Sequence, residues 1–143
     1  MRSQSLRILL IDDNRHGLVA RRSVLEQQGH KVTTATNGQD GLERFQEETF
    51  DLVVTDYRMP GMTGQQVIKK IRLEKPKIPI VLLSGYVEAL GLEAGGTGAD
   101  IVLSKGPGEV QEMLRAIARL HRKIPKKPVG SAKGTKGKKA KAG

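Results

Sequence analysis

The sequence contains no cysteine, no long apolar run and no acidic residue among its last 22 positions. Without cysteine, disulfides, thiolate metal sites and cysteine catalysis are excluded, which suits a reducing compartment. Near the N-terminus the longest apolar stretch is Ile8–Ile11, which Asp12 ends. That stretch is too short for the core of a signal peptide or for a membrane span. We therefore expect a cytoplasmic protein that does not enter the membrane.

The positive charge of the chain is concentrated at one end. Residues 1–121 carry 16 Lys and Arg against 15 Asp and Glu, whereas residues 122–143 carry nine Lys and Arg. We predict a nearly neutral domain over residues 1–123 and a basic tail over residues 124–143. From Ser131 onward the tail contains only Gly, Ala, Ser, Thr and Lys. Such a segment buries too little apolar surface to offset its ordering entropy, so we expect it to be disordered.

Within the domain, short apolar runs alternate with helical patterns, which predicts a parallel sheet covered on both faces by right-handed crossovers. The predicted strands are residues 6–11, 31–35, 52–55, 78–83 and 100–103. The first helix is expected to begin after Asn14, to stop at Gly29 and to carry Leu18, Val19, Arg22 and Leu25. Further helices are expected after Asn37-Gly38, from Gly64 to just before Pro76, weakly over Tyr86–Gly98, and after Pro107.

Polar side chains stand where the predicted strands end. Asp12 and Asp13 follow the first strand, Asp56 the third, Ser84 the fourth and Lys105 the fifth. Ligands of such sheets bind outside the carboxyl ends of the strands. Three carboxylates gathered there would raise at least one pKa unless a cation lay between them, and Mg²⁺, a hard cation with oxygen ligands, fits that need. A hydroxyl and an ammonium group suit phosphoryl oxygens.

These residues lie in segments that together resemble the receiver domain of two-component response regulators. The segments are Ile11–Asn14, Asp56–Gly64, Leu83–Gly85, Gly98–Asp100 and Lys105. No segment is specific by itself, but their joint occurrence in this order is highly specific, and the resemblance covers residues 6–121. It implies a doubly wound α/β fold, (βα)5, whose five parallel strands take the flavodoxin-like order 2-1-3-4-5.

The resemblance also implies roles for individual residues. Asp56 would be the nucleophile that accepts the phosphoryl group, Lys105 would hold an acceptor carboxylate or phosphoryl oxygen, and Ser84 would bond the phosphoryl group once it arrives. The cofactor would be Mg²⁺, bound by Asp56, directly by Asp13 and partly through water by Asp12. The backbone carbonyl of Arg58 would complete the metal ligands.

A resemblance to receiver domains further implies partners and a type of activity. The phosphodonor would be a sensor histidine kinase or a histidine phosphotransfer protein, and phosphorylation would switch binding to a downstream protein. The chain would act as a stand-alone receiver. It would not be an enzyme in the ordinary sense, because it would catalyse only its own phosphorylation and dephosphorylation.

Two positions depart from the family pattern. Family members usually carry Tyr or Phe three residues before the lysine, where this chain has Val102, so an aromatic switch at that position is absent. The usual Lys-Pro pair, joined by a cis peptide bond, is replaced by Lys105-Gly106-Pro107. The sequence leaves open whether a cis bond follows Lys105.

Two other classes of protein compete with this interpretation. A phosphatase of the haloacid dehalogenase type needs a second Asp two residues after its nucleophile, and Arg58 at that position argues against it. A nucleic-acid adaptor could act through residues 122–143, which contain no aromatic residue to stack on bases, so its binding would be electrostatic and independent of sequence. A solvated extension without a partner is an equal alternative for this tail.

Overall fold

A computed structural model describes residues 5–85, 91 and 94–124 of the chain. The strands are β1 (Arg7–Ile11), β2 (Lys31–Ala35), β3 (Leu52–Asp56), β4 (Ile80–Ser84) and β5 (Ile101–Ser104). The helices are α1 (Arg15–Gln27), α2 (Gly38–Glu47), α3 (Gly64–Glu74), α4 (Ala94–Thr97) and α5 (Glu109–His121). Within these described ranges no helix is long and apolar enough to cross a membrane.

The five strands form one parallel sheet in the order β2-β1-β3-β4-β5, which confirms the predicted topology. Successive side chains of β1 point to opposite faces, so each face gains its own apolar cluster. Ile8 and Leu10 pack with residues of α1 and α5 on one face. Leu9 and Ile11 pack with residues of α2 and α3 on the other. The sheet is therefore buried on both faces, as its nearly continuous apolar strands predict.

Side-chain caps fix where three of the helices begin. The Asn14 side chain accepts a hydrogen bond from the Gly17 N–H at 3.0 Å, and the Asn37 side chain accepts one from the Asp40 N–H at 2.7 Å. Thr63 and Gln66 form a reciprocal capping box at the start of α3. Each cap satisfies backbone donors that the first helical turn leaves without partners. The predicted start of α1 at Asn14 is thereby confirmed.

Some predicted boundaries differ from the observed ones by one or two residues. Strand β4 begins at Ile80 and extends to Ser84, and helix α5 begins at Glu109 rather than beside Pro107.

Every peptide bond in the described part of the chain is trans, including the bond that follows Lys105. The helix predicted over Tyr86–Gly98 is observed as one turn at Ala94–Thr97, while residues 86–90, 92 and 93 lie outside the described residues.

Most of the basic tail likewise falls outside the described residues, which end at Ile124. The disorder expected for residues 124–143 therefore stays a prediction.

The beginning of α3 packs directly against the end of β3. A Cβ atom added at Gly64 would lie 2.2 Å from the backbone oxygen of Asp56, and the Gly64 N–H donates to the backbone oxygen of Tyr57 at 2.7 Å. No rotamer change relieves a collision between a Cβ atom and a backbone atom. The absence of a side chain at Gly64 therefore helps to set the position of the Asp56 backbone.

We predict that Gly64→Ala lowers the free energy of unfolding by about 3 kcal/mol, because the helix or the strand end must move to admit the methyl group. Urea denaturation of the wild type and the variant measures the difference. Gly96→Ala is the control, since a Cβ atom at Gly96 meets no atom within 4 Å, and it should stay within about 0.5 kcal/mol of wild type. Equal stabilities of the two variants would contradict the close approach at Gly64.

Candidate phosphorylation site

Four strand ends place the predicted site residues along one edge of the sheet. Asp12 directly follows β1, Asp56 and Ser84 are the last residues of β3 and β4, and Lys105 directly follows β5. Because all the strands are parallel, their carboxyl ends meet at this edge. The structure therefore brings these predicted residues to one side of the molecule, with Asp13 beside Asp12.

Asp12, Asp13 and Asp56 form an acidic cluster in which one carboxylate oxygen from each residue lies within 4.8 Å of the others. Asp12 is fully buried, Asp56 is 4% exposed and Asp13 is exposed. Oxygen donors at this spacing, with one side open to solvent, suit a hard divalent cation such as Mg²⁺. The chemistry of this cluster fits the predicted cofactor.

Lys105 supplies positive charge at the same point. Its Nζ lies 3.0 Å from Oδ1 of Asp56 and 3.6 Å from Oδ2 of Asp12. Burial raises the pKa of Asp56 from 3.8 to about 6, Lys105 acts against that rise, and the charges of Asp12 and Asp13 add to it. Without a cation, ionising Asp56 is therefore less favourable than ionising a solvated carboxyl, although the carboxylate form still predominates at pH 7.

Both carboxylate oxygens of Asp12 already have protein partners. Oδ1 accepts the Asn14 N–H at 2.9 Å, and Oδ2 accepts a hydrogen bond from Nη1 of Arg21. The backbone N–H of Asp12 donates to the oxygen of Ala35 at 3.0 Å. A buried charge needs such partners to offset its lost hydration. Asp12 is consequently held more firmly than the solvent-exposed Asp13.

Arg21 is a residue of this site that the sequence analysis missed. It is 6% exposed, and its Nε donates to Oε2 of Glu109, in the first turn of α5, at 2.5 Å. Burial works to lower the pKa of Arg21, but Glu109 and Asp12 outweigh it, and the pKa lies above its ordinary value. The guanidinium thus joins α1, the acidic cluster and α5 as a fixed positive charge.

The sequence held a signal for Arg21. Leu18, Arg21 and Leu25 recur at helical spacing and are the buried residues of α1. The prediction placed Val19 and Arg22 in that pattern instead, but Val19 is 68% exposed and Arg22 pairs with Glu26 at the surface. This part of the sequence analysis is wrong. The helical spacing alone does not show that the arginine at position 21 is the buried one, because its burial depends on Asp12 and Glu109, which meet it only in the fold.

The remaining predicted residues lie close by. Ser84 is 1% exposed, and its backbone oxygen accepts the Lys105 N–H at 3.1 Å. Arg58 lies exposed in the loop between β3 and α3, two residues beyond Asp56. Val102 is partly buried and packs against the apolar cluster that contains Leu82. The roles of Ser84 and of the Arg58 carbonyl stay predictions.

Comparison with known proteins identifies this arrangement. The sequence model of the response regulator receiver domain matches residues 8–118, which include the acidic cluster and Lys105. The chain belongs to the response regulator receiver domain family. The resemblance predicted from the spaced segments is therefore confirmed, together with the doubly wound fold.

Relatives of this receiver domain include full-length regulators and a kinase. The transcriptional regulatory protein AfsQ1 of Streptomyces coelicolor is 36% identical over 117 residues, covering 78% of this chain and 51% of AfsQ1. The sensor histidine kinase GacS of Pseudomonas protegens is 38% identical over 92 residues, covering 61% of this chain and 10% of GacS. The chain thus spans about half of AfsQ1 and a small part of GacS.

Among solved structures, the response regulator TrrA of Thermotoga maritima, in complex with Mg²⁺-BeF, is similar to this receiver domain. It is 29% identical with a TM-score of 0.71, and the match covers 80% of this chain and 97% of TrrA. The similarity extends over nearly the whole of the TrrA chain.

We predict that Asp56→Asn stabilises the metal-free receiver domain near neutral pH. A carboxyl with a folded-state pKa of about 6 and an unfolded value of 3.8 favours folding fully only below the unfolded pKa, and this contribution is lost as pH rises through about 6. The ionised carboxylate costs about 3 kcal/mol near pH 7.5, and the variant escapes that cost.

Urea denaturation in EDTA, at several pH values between about 4 and 7.5, measures the effect. The advantage of Asp56→Asn should shrink toward zero at the acidic end. Asp51 directly precedes β3, at the end of the strand away from Asp56. The variant Asp51→Asn therefore serves as the control for the loss of one negative charge elsewhere. A variant no more stable than wild type at pH 7.5 would contradict the raised pKa.

Proposed function

We propose that this receiver domain accepts a phosphoryl group on Asp56 in a Mg²⁺-dependent reaction, with a sensor histidine kinase or a histidine phosphotransfer protein as donor. The observation that carries the proposal is the contact of Lys105 Nζ with the buried Asp56 carboxylate at 3.0 Å, beside two further carboxylates. Family membership supports the donor class, because receiver domains receive phosphoryl groups from phosphohistidine proteins.

In this reaction an oxygen of Asp56 attacks the phosphorus atom of the phosphohistidine. The new P–O bond forms as the P–N bond breaks, and the electron pair of that bond leaves with the histidine nitrogen. The transition state is loose and highly charged, so positioning and charge neutralisation dominate. Bound Mg²⁺ would supply positive charge against the phosphoryl oxygens, with Asp13, Asp56 and the Arg58 carbonyl as its direct protein ligands and Asp12 acting partly through water.

The protein groups each contribute a definite part. The short β3–α3 connection beside Gly64 fixes the backbone of Asp56, so the nucleophile requires little rearrangement. Lys105 stabilises negative charge on the Asp56 carboxylate and then on the phosphoryl group. Ser84, buried at the end of the neighbouring strand, would donate its hydroxyl to the phosphoryl oxygen after transfer.

A downstream protein would read the phosphorylated state. Because Val102 stands where an aromatic switch would lie, the change would begin at Ser84, the last residue of β4. A ligand shifts the equilibrium between two conformations of a protein by the difference in its affinity for them. The new phosphoryl group would supply that difference through its bonds to Lys105 and Ser84.

We predict that incubation with acetyl phosphate and Mg²⁺ adds one phosphoryl group to the wild-type chain and none to Asp56→Asn, because the variant lacks the nucleophilic oxygen. Intact-protein mass spectrometry measures the addition, with EDTA as a control that removes the cation. Asp51→Asn keeps an amide oxygen to accept the Arg7 N–H and serves as the matched variant, which should be phosphorylated like wild type. Equal labelling of Asp56→Asn would contradict the assignment.

A second function, electrostatic binding of nucleic acid, is favoured by one observation: residues 122–143 carry nine Lys and Arg and no acidic residue. Lysines that meet backbone phosphates release condensed counterions, so the affinity falls steeply with salt. Residues 1–121 are nearly neutral in total, which concentrates any such attraction on this segment.

We predict that the intact chain binds random duplex DNA at low salt, that binding weakens by at least about tenfold at physiological salt, and that a chain ending at residue 121 does not bind. Fluorescence anisotropy with two unrelated duplexes measures affinity and sequence preference together. Absence of binding by the intact chain at low salt would leave the segment as a solvated extension.

A further inference from the structure

Arg21 occupies an unusual place for a permanently charged side chain. Its side chain is only 7% exposed, and the guanidinium lies between two carboxylates, Asp12 of the acidic cluster and Glu109 of α5. Asp12 is one of the three residues whose oxygens converge in the cluster. The same carboxylate that would help to hold a divalent cation is therefore already paired with an internal cation.

The packing around Arg21 accommodates this arrangement. A Cβ atom at Gly17 would lie 2.9 Å from Nη1 of Arg21, so the space taken by the guanidinium depends on the missing side chain one helical turn earlier. Beside the guanidinium is an open cavity of about 380 Å³, lined partly by Gly17, Ala20, Gly106 and Gly108. The small lining residues leave room for the guanidinium to turn away from Asp12.

An internal cation so placed opposes a bound metal ion in two ways. It repels a second positive charge across the buried Asp12 carboxylate, where the effective dielectric constant is below that of water. It also holds Oδ2 of Asp12, so a cation that approaches this oxygen must displace a charge-assisted hydrogen bond. Asp13 differs from Asp12 because its side chain is exposed to solvent.

We propose that Arg21 is a positioning residue that competes with the divalent cation for Asp12, so that this receiver domain binds Mg²⁺ more weakly than its three carboxylates alone would. This inference rests on the cation site proposed above. It assigns binding of the cation chiefly to Asp13 and Asp56. Asp12 keeps Arg21 as its partner and acts on the cation from a greater distance.

Isothermal titration of the full chain with MgCl₂ tests the proposal. We expect Arg21→Gln, which removes the charge but keeps a hydrogen-bond donor, to bind Mg²⁺ roughly five- to fiftyfold more tightly than wild type. Arg21→Lys keeps the positive charge and with it the repulsion of the cation, so its affinity should stay within about threefold of wild type. Arg22→Gln is the matched control, because Arg22 is an exposed arginine on the same helix, and it should change the affinity less than about twofold.

A second variant covers the case in which Arg21→Gln does not fold, as judged by circular dichroism. Gly17→Ala retains every charge, favours the helix and places a Cβ atom against Nη1 of Arg21, so the guanidinium must move. We expect at least a twofold increase in Mg²⁺ affinity. If Arg21→Gln does not fold, Gly17→Ala is the deciding variant. If Arg21→Gln folds, it is the deciding variant itself.

The outcomes are distinct. Tighter binding by the deciding variant, with Arg22→Gln unchanged, supports competition between Arg21 and the cation. Unchanged or weaker binding by the deciding variant, while wild type binds Mg²⁺, overturns the role of Arg21 and leaves the proposed function intact. If wild type itself binds no Mg²⁺, the cation site of the proposed function fails and the competition fails with it.

Discussion

Two buried carboxylates, Asp12 and Asp56, lie at neighbouring strand ends, and a third, Asp13, lies beside them. Like charges at this spacing repel one another, and burial adds the cost of lost hydration. Lys105 and Arg21 offset part of that cost, each through a direct contact with a carboxylate. The positions of β5, which precedes Lys105, and of α1, which carries Arg21, therefore matter to the stability of the site as well as to its chemistry.

Parallel pairing is what makes this concentration of charge possible. The carboxyl ends of β1, β3 and β4 meet at one edge because the crossover connections of a parallel sheet return the chain to the opposite edge after each strand. Two apolar clusters, one on each face, hold the strands in that arrangement. The stability of the apolar interior thus supports a polar edge that would not assemble by itself.

Sequence reasoning located Asp12, Asp13, Asp56 and Lys105 because each stands where an apolar strand ends, a signal that depends only on local order. It did not find the pairing of Arg21 with Glu109, since those residues lie 88 positions apart and meet only after α1 and α5 pack together. Leu18, Arg21 and Leu25 form the buried stripe of α1, but the sequence analysis assigned Val19 and Arg22 to it in place of Arg21. What the sequence could not supply was the pair of acceptors that makes a buried arginine stable.

The charges of the site can be summed once Arg21 is included. Asp12, Asp13, Asp56 and Glu109 contribute four negative charges, and the two cations Arg21 and Lys105 leave a formal excess of two. One divalent cation would neutralise that excess. Phosphorylation would replace a singly charged carboxylate by a group of about two negative charges, which increases the excess. The cation would then be needed more after the transfer than before it, while the charge of Arg21 would oppose cation binding in both states.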